Sequence, residues 1–177
     1  MAKKYVKDYR LNETIDERGR IRSDAEYIGG SYYLQQDRAT ARTRGRVLAA
    51  VCAVSWICWL VPMLFNNGSM HIAFISYPYI FIALTLWLRS MALYTALTLT
   101  QPMKHKDSDR LTNWLPGTSI ATIVLSGVVL IGLGVSVVFH IGTRNSYDWL
   151  VLAGDAVLLA GGIFTLTQRK FFRTEER

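Results

Sequence analysis

The sequence predicts an all-α membrane protein whose four transmembrane helices form an antiparallel bundle. After residue 46 the hydrophobic residues are gathered into four long apolar stretches. Three are close to the roughly 20 residues that a helix needs to cross a bilayer, and the second is longer. Short polar links separate these stretches, whereas residues 1–46 are strongly polar. The predicted spans cover about residues 47–65, 71–99, 118–139 and 149–167.

The distribution of Lys and Arg predicts the orientation of the spans. The chain has a formal net charge of +7, yet the two outer links contain a single basic residue, Arg144. Arg89 lies within the second span, and the other basic residues flank the opposite ends of the spans. Because cytoplasmic loops collect Lys and Arg, we expect a multi-pass protein of the cell membrane with both termini in the cytoplasm.

Residues 1–46 form the predicted cytoplasmic N-terminal segment. Ile15 and Ile21 flank a turn-like Asp-Glu-Arg-Gly sequence, which favours a short β-hairpin with Tyr9 and Leu11 in one arm and Tyr27 in the other. An isolated hairpin is marginally stable in water, so it must lean on the membrane domain, on a second copy or on a partner. The alternative is that residues 1–37 form a disordered tail.

Four arginines directly before the first span, Arg38, Arg42, Arg44 and Arg46, predict a contact with anionic lipid. Each basic residue near such a surface contributes about 1 kcal/mol. Nucleic acid is the alternative ligand for a basic cluster, but it normally requires a folded reader or a longer basic arm. We therefore expect no nucleic-acid partner. Residues 168–177 are predicted to form a basic cytoplasmic tail.

Small residues spaced four apart indicate faces for close helix packing. Because such faces also join separate chains, they favour a homo-oligomer or an assembly with other membrane subunits. The pairs are Ala49 with Ala53, Thr122 with Ser126, and Gly132 with Ser136.

Arg89 is predicted to lie near the inner membrane interface. A long basic side chain at that depth reaches toward the headgroups, so a contact with lipid phosphate is expected. An anion site is the alternative.

Four residues near the outer face form a candidate polar or ion site: Asp155, Asp148, His71 and His140. Asp155 is the single acid inside the four spans and lies two helical turns below Asp148 on nearly the same face. Three interpretations of Asp155 are open. It is a structural acid, held protonated or bonded to water or to Ser136, Ser55 or Tyr77; it binds a ligand, ion or proton; or it contacts another subunit.

Motifs for catalysis are missing from the sequence. It has no phosphate-binding glycine loop, no H-E-x-x-H, no paired C-x-x-C and no G-x-S-x-G. The three histidines are too few and too dispersed for a predicted zinc site, which normally needs three or four ligands. No catalytic residue, metal or cofactor is predicted, and the balance favours a protein that is not an enzyme.

The leading hypothesis is a non-enzymatic subunit or scaffold of a homo-oligomer or larger membrane complex. It rests on the small-residue faces and on the charged N-terminal segment. One alternative is a small oligomeric transporter or channel that uses an outward-facing site around Asp155. A second alternative is a membrane enzyme with an outer His/Asp site.

Overall fold

Four long helices dominate the computed structural model, which describes residues 7–15, 21–65, 67–98, 101–141 and 147–176. Each is long and apolar enough to cross a membrane. A short fifth helix, α3, continues through a π-helical turn at Arg110–Trp114 into α4. The helices are α1 (Arg38–Met63), α2 (Ala73–Leu97), α3 (His105–Asp109), α4 (Leu115–Val138) and α5 (Asp148–Thr167).

The long helices pack as a closed ring in the order α1, α2, α4, α5. Two glycines of α5 permit the closest approaches. A Cβ added at Gly154 would lie 2.6 Å from the Cys58 carbonyl oxygen of α1, and one at Gly162 would lie 2.9 Å from a side-chain carbon of Ile123 on α4. The predicted all-α bundle is therefore confirmed.

The interior and the exterior of this bundle are both apolar. Buried side chains such as Leu48, Ile82 and Leu158 fill the interior. Large apolar side chains also cover the outside of each long helix. Examples are Val54, Ile57, Phe81, Trp87, Val124, Ile131, Leu152 and Ile163.

The helices extend beyond the predicted spans at two points. The first begins at Arg38 rather than near residue 47, because the Asp37 carboxylate accepts hydrogen bonds from the backbone N–H groups of Ala39 and Thr40 at 3.1 and 3.2 Å. Such a cap satisfies donors that a helix start leaves open. The helix that contains the third predicted span also begins earlier than predicted. It runs without a break from His105 through α3, the π-helical turn and α4. The sequence therefore located these apolar helices but underestimated their lengths.

The predicted hairpin is present as two antiparallel strands, β1 (Tyr9–Ile15) and β2 (Ile21–Tyr27). Tyr9 lies opposite Tyr27, and Ile15 lies opposite Ile21. The predicted turn, residues 16–19, falls outside the described residues.

A second strand pair brings distant parts of the chain to one end of the bundle. β3 (Tyr32–Leu34) pairs in antiparallel fashion with β4 (Thr174–Glu176). Tyr32 and Met103 also exchange backbone hydrogen bonds of 3.1 and 3.0 Å. The N-terminal segment, the α2–α3 connection and the C-terminal tail therefore meet at the same end.

The hairpin contacts the α2–α3 connection at its open end, where β1 begins and β2 ends. The Tyr27 hydroxyl accepts a hydrogen bond from the His105 backbone N–H and donates one to the Gly30 carbonyl, both at 2.9 Å. Asp8 Oδ2 lies 3.0 Å from His105 Nδ1, and the Lys104 ammonium lies 5.7 Å from the Tyr27 ring centre. The sequence left open whether the helical domain, a second copy or a partner supports the hairpin. These contacts show support from the helical domain.

Candidate functional site

Asp155 lies in the interior of the bundle, on the face of α5 that packs against the other helices. Its side chain has no solvent exposure. The Ser126 hydroxyl of α4 lies beside the carboxyl group, but neither group meets the geometry of a hydrogen bond with any described residue. Both carboxyl oxygens are thus buried polar atoms without a partner in the part of the chain that the structure describes.

The three hydrogen-bond partners that the sequence suggested for Asp155 are wrong. Ser55 Oγ donates to the Val51 carbonyl at 2.9 Å, and Ser136 Oγ donates to the Leu133 carbonyl at 2.8 Å. The Tyr77 side chain is exposed. Serine hydroxyls in helices often bond to a carbonyl of the preceding turn, which accounts for the first two cases.

Tyr79 of α2 also faces the interior at this level, close enough to Asp155 to interact with it electrostatically. Its hydroxyl lies 2.9 Å from the Trp59 carbonyl and 3.4 Å from the Cys58 carbonyl of α1. Pro62 has no N–H, so the Cys58 carbonyl lacks the usual helical donor. Tyr79 supplies a side-chain donor where the proline interrupts the helix.

Arg89 of α2 is also buried in the interior. It has no solvent exposure, and its Nη2 donates to Thr122 Oγ1 of α4 at 2.7 Å. Thr85 Oγ1 lies 2.8 Å from the same hydroxyl. The Nε and Nη1 atoms have no hydrogen-bond partner among the described residues. This enclosed position differs from the interfacial one that the sequence suggested, and the contact with lipid phosphate or an anion stays a prediction.

Arg89 and Asp155 approach the same stripe of α4. Thr122 and Ser126 are four residues apart, which is about one helical turn. We call this set the buried polar row: Thr85, Arg89, Thr122, Ser126 and Asp155. The sequence predicted a helix-packing role for Thr122 and Ser126 and did not predict the row. The signal available for it was the i, i+4 spacing of Thr85 with Arg89 and of Thr122 with Ser126.

The remaining candidates of the outer site do not surround Asp155. Asp148 lies in the first turn of α5, where its Oδ1 accepts the Ser69 backbone N–H at 2.9 Å. His71 and His140 are exposed. No group of three His, Cys, Asp or Glu residues suited to a metal ion occurs among the described residues.

A groove of about 480 Å³ runs between α4 and α5 beside Asp148. Its lining includes neither histidine and does not include Asp155. The residues that line it are Ser69, Leu130, Leu133, Gly134, Ser136, Val137, Val138, Asp148, Trp149 and Leu152.

The other predicted packing positions have different surroundings. Ala49 and Ala53 line a groove of about 290 Å³ on the outside of α1 and α2. Gly132 faces α2, where an added Cβ would lie 3.1 Å from side-chain atoms of both Phe74 and Ile75. The first pair therefore lies at a surface groove between α1 and α2, and Gly132 faces into the bundle.

The arginines before the first predicted span lie on the initial turns of α1. Arg42 is half-buried, whereas Arg38, Arg44 and Arg46 are exposed. The Arg44 guanidinium lies 4.9 Å from the centre of the Phe171 ring. The contact with anionic lipid stays a prediction.

At the same end of the molecule, the Tyr32 hydroxyl donates to Glu176 Oε2 at 3.3 Å. Desolvation, followed by the charge of Glu176, raises the pKa of Tyr32 above its ordinary value. This hydroxyl therefore stays a hydrogen-bond donor at neutral pH.

No protein-family profile, curated protein or solved structure matches the chain. The class that the fold defines is a bundle of four helices with the length and composition of membrane spans.

Proposed function

We propose that the chain is a multi-pass protein of the cell membrane that acts as a non-enzymatic subunit or scaffold of a homo-oligomer or larger membrane complex. The apolar exterior of the bundle supports the membrane location. Ile131 is 69% exposed, Trp87 60% and Ile57 59%, whereas soluble monomers rarely expose large contiguous apolar patches. A bilayer would cover these side chains.

An antiparallel arrangement with both termini in the cytoplasm is part of this proposal. Close contacts join Gly154 to Cys58 and Gly161 to Ser55, so positions later in α5 meet positions earlier in α1. The pairing of β3 with β4 brings the two ends of the chain together. The basic residues other than Arg89 and Arg144 belong to the segments at this end, and this asymmetry favours the cytoplasmic side.

The observation that carries the subunit role is the outward face of α4. Gly127 and Gly134 are seven residues apart and therefore lie on nearly the same face. A Cβ added at either position would meet nothing within 4 Å. Packing within the chain thus does not require these glycines, although glycine inside a helix costs about 0.5–1 kcal/mol relative to alanine. A second helix that packs closely against this face would account for both.

The mass of the purified full chain in mild detergent tests this role. We expect the wild-type protein to run as an oligomer or with a co-purifying membrane partner. The double variant Gly127→Leu/Gly134→Leu should shift to the monomer mass, because leucine side chains would prevent close approach of the partner helix.

Ala50→Leu is the matched control for this experiment. Ala50 is exposed on α1, which is not a neighbour of α4 in the ring, so its enlargement should leave the assembly intact. A wild-type chain that runs as a lone monomer would contradict the proposal.

A small transporter or channel is the second candidate, and the buried polar row is the observation that favours it. Ionisable side chains inside membrane bundles commonly mark ion or proton pathways. Asp155→Asn should then abolish the flux of ions or protons into liposomes while the protein stays folded. Unchanged flux would end this candidate. No comparable observation favours a membrane enzyme.

A further inference from the structure

We propose that Asp155 is a proton-binding site inside the bundle. The inference deepens the transport candidate and rests on the proposed membrane location. It does not depend on the assembly of the chain into an oligomer.

The surroundings of Asp155 offer no hydrogen-bond or ion-pair partner for its carboxyl group among the described residues. Helix α4 contributes Ser126, α2 contributes Tyr79, and α1 contributes the Cys58 thiol near Tyr79. No described Lys, Arg or His forms an ion pair with the carboxyl group. Arg89 bonds instead to Thr122, one helical turn from Ser126 along α4. An ionised Asp at the centre of a membrane helix costs about 2.5–3.5 kcal/mol, and a bound proton removes that charge.

Ser126 suits a carboxyl group that alternates between two states. Its hydroxyl has no hydrogen-bond partner among the described residues, and a hydroxyl can either accept or donate. It can accept a hydrogen bond from the O–H group of the neutral acid. When the acid loses its proton to water, the hydroxyl can donate a hydrogen bond to the carboxylate. The O–H bond of the acid breaks, and a new O–H bond forms on water.

Infrared spectroscopy of the full chain in nanodiscs tests the proposal. The carbonyl stretch of a protonated carboxylic acid should be present at low pH and lost on titration to high pH. Asp155→Asn should remove this band. Thr165→Val is the control, because Thr165 is equally buried and its hydroxyl donates only to the Gly161 carbonyl.

A second variant keeps the test valid if Asp155→Asn fails to fold. Ser126→Ala should shift both the frequency of the band and its titration midpoint, since it removes the neighbouring hydroxyl. A band that persists at every pH would overturn the proposal in favour of a permanently neutral structural acid. Absence of the band at every pH would also overturn it. A band that responds to Na⁺ at constant pH would assign the site to a metal cation instead.

The infrared result is separable from the functional proposals. A titrating Asp155 in a chain that shows no flux would leave the proton site intact and remove the transport candidate. Flux without a titrating band would leave the transport candidate intact and remove the proton site.

Discussion

Gly154 and Gly117 are both helical glycines, but their surroundings differ. An added Cβ at Gly154 would lie 2.6 Å from the Cys58 carbonyl oxygen, whereas one at Gly117 would meet nothing within 4 Å. Gly154→Ala should therefore destabilise the bundle by about 1–3 kcal/mol, the usual cost of forcing extra volume into a packed site. Thermal unfolding in detergent measures this difference.

Gly117→Ala is the control and should leave the midpoint unchanged or raise it, because alanine favours helix more than glycine does. Equal midpoints for the two variants would contradict the close approach of α5 to α1.

At the residue scale, the sequence predicted that Asp155 is unusual but not which side chains surround it. Its isolation in an apolar stretch singled it out, because a charge is costly in a membrane helix. Its neighbours were not predictable, since they depend on the rotation of four helices about their own axes. Ser126 lies beside the carboxyl group, whereas Ser136 bonds within its own helix. The sequence alone gives no physical reason to prefer one serine over the other.

Among the elements, the hairpin offers a test that leaves the helices untouched. Tyr27→Phe keeps the ring beside Lys104 but removes a hydroxyl that joins His105 to Gly30. Each lost bond is worth about 1 kcal/mol, and about 1.4 kcal/mol corresponds to a tenfold change in an equilibrium. Hydrogen exchange of the β1 and β2 amides should therefore accelerate by roughly tenfold or more.

Tyr9→Phe is the matched control for the hairpin. The Tyr9 ring packs edge-on against Tyr27 with centres 5.3 Å apart, and phenylalanine preserves this contact. Exchange in this variant should match the wild type. Similar exchange in all three proteins would show that the Tyr27 hydroxyl does not anchor the hairpin.

Element types were easier to predict than their limits or their pairing. The two isoleucines and the turn-like residues between them identified the hairpin, because turn chemistry is local. The pairing of Tyr32–Leu34 with Thr174–Glu176 joins opposite ends of the chain, so no local pattern indicates it. Likewise, hydropathy marks the apolar part of α1, but the helix itself begins at the Asp37 cap.

In the whole molecule, the ring of four helices separates the buried polar side chains from the apolar outer surface. Apolar side chains cover the outside, and the buried polar row lies inside between α2, α4 and α5. The strands lie at one end, and the basic residues other than Arg89 and Arg144 belong to the segments at that end. The number of long apolar helices was predictable because length and hydropathy determine it. The interior row was not, because it arises only when three helices are brought together.

Cysteine labelling in intact cells tests the proposed membrane topology most directly. Single cysteines at Gln36, Lys106 and His140, all exposed, would be placed in a chain carrying Cys52→Ala and Cys58→Ala. A membrane-impermeant maleimide should label position 140 from outside, and positions 36 and 106 only after the cells are permeabilised. Labelling of positions 36 and 106 in intact cells, or protection of position 140, would contradict the proposed topology.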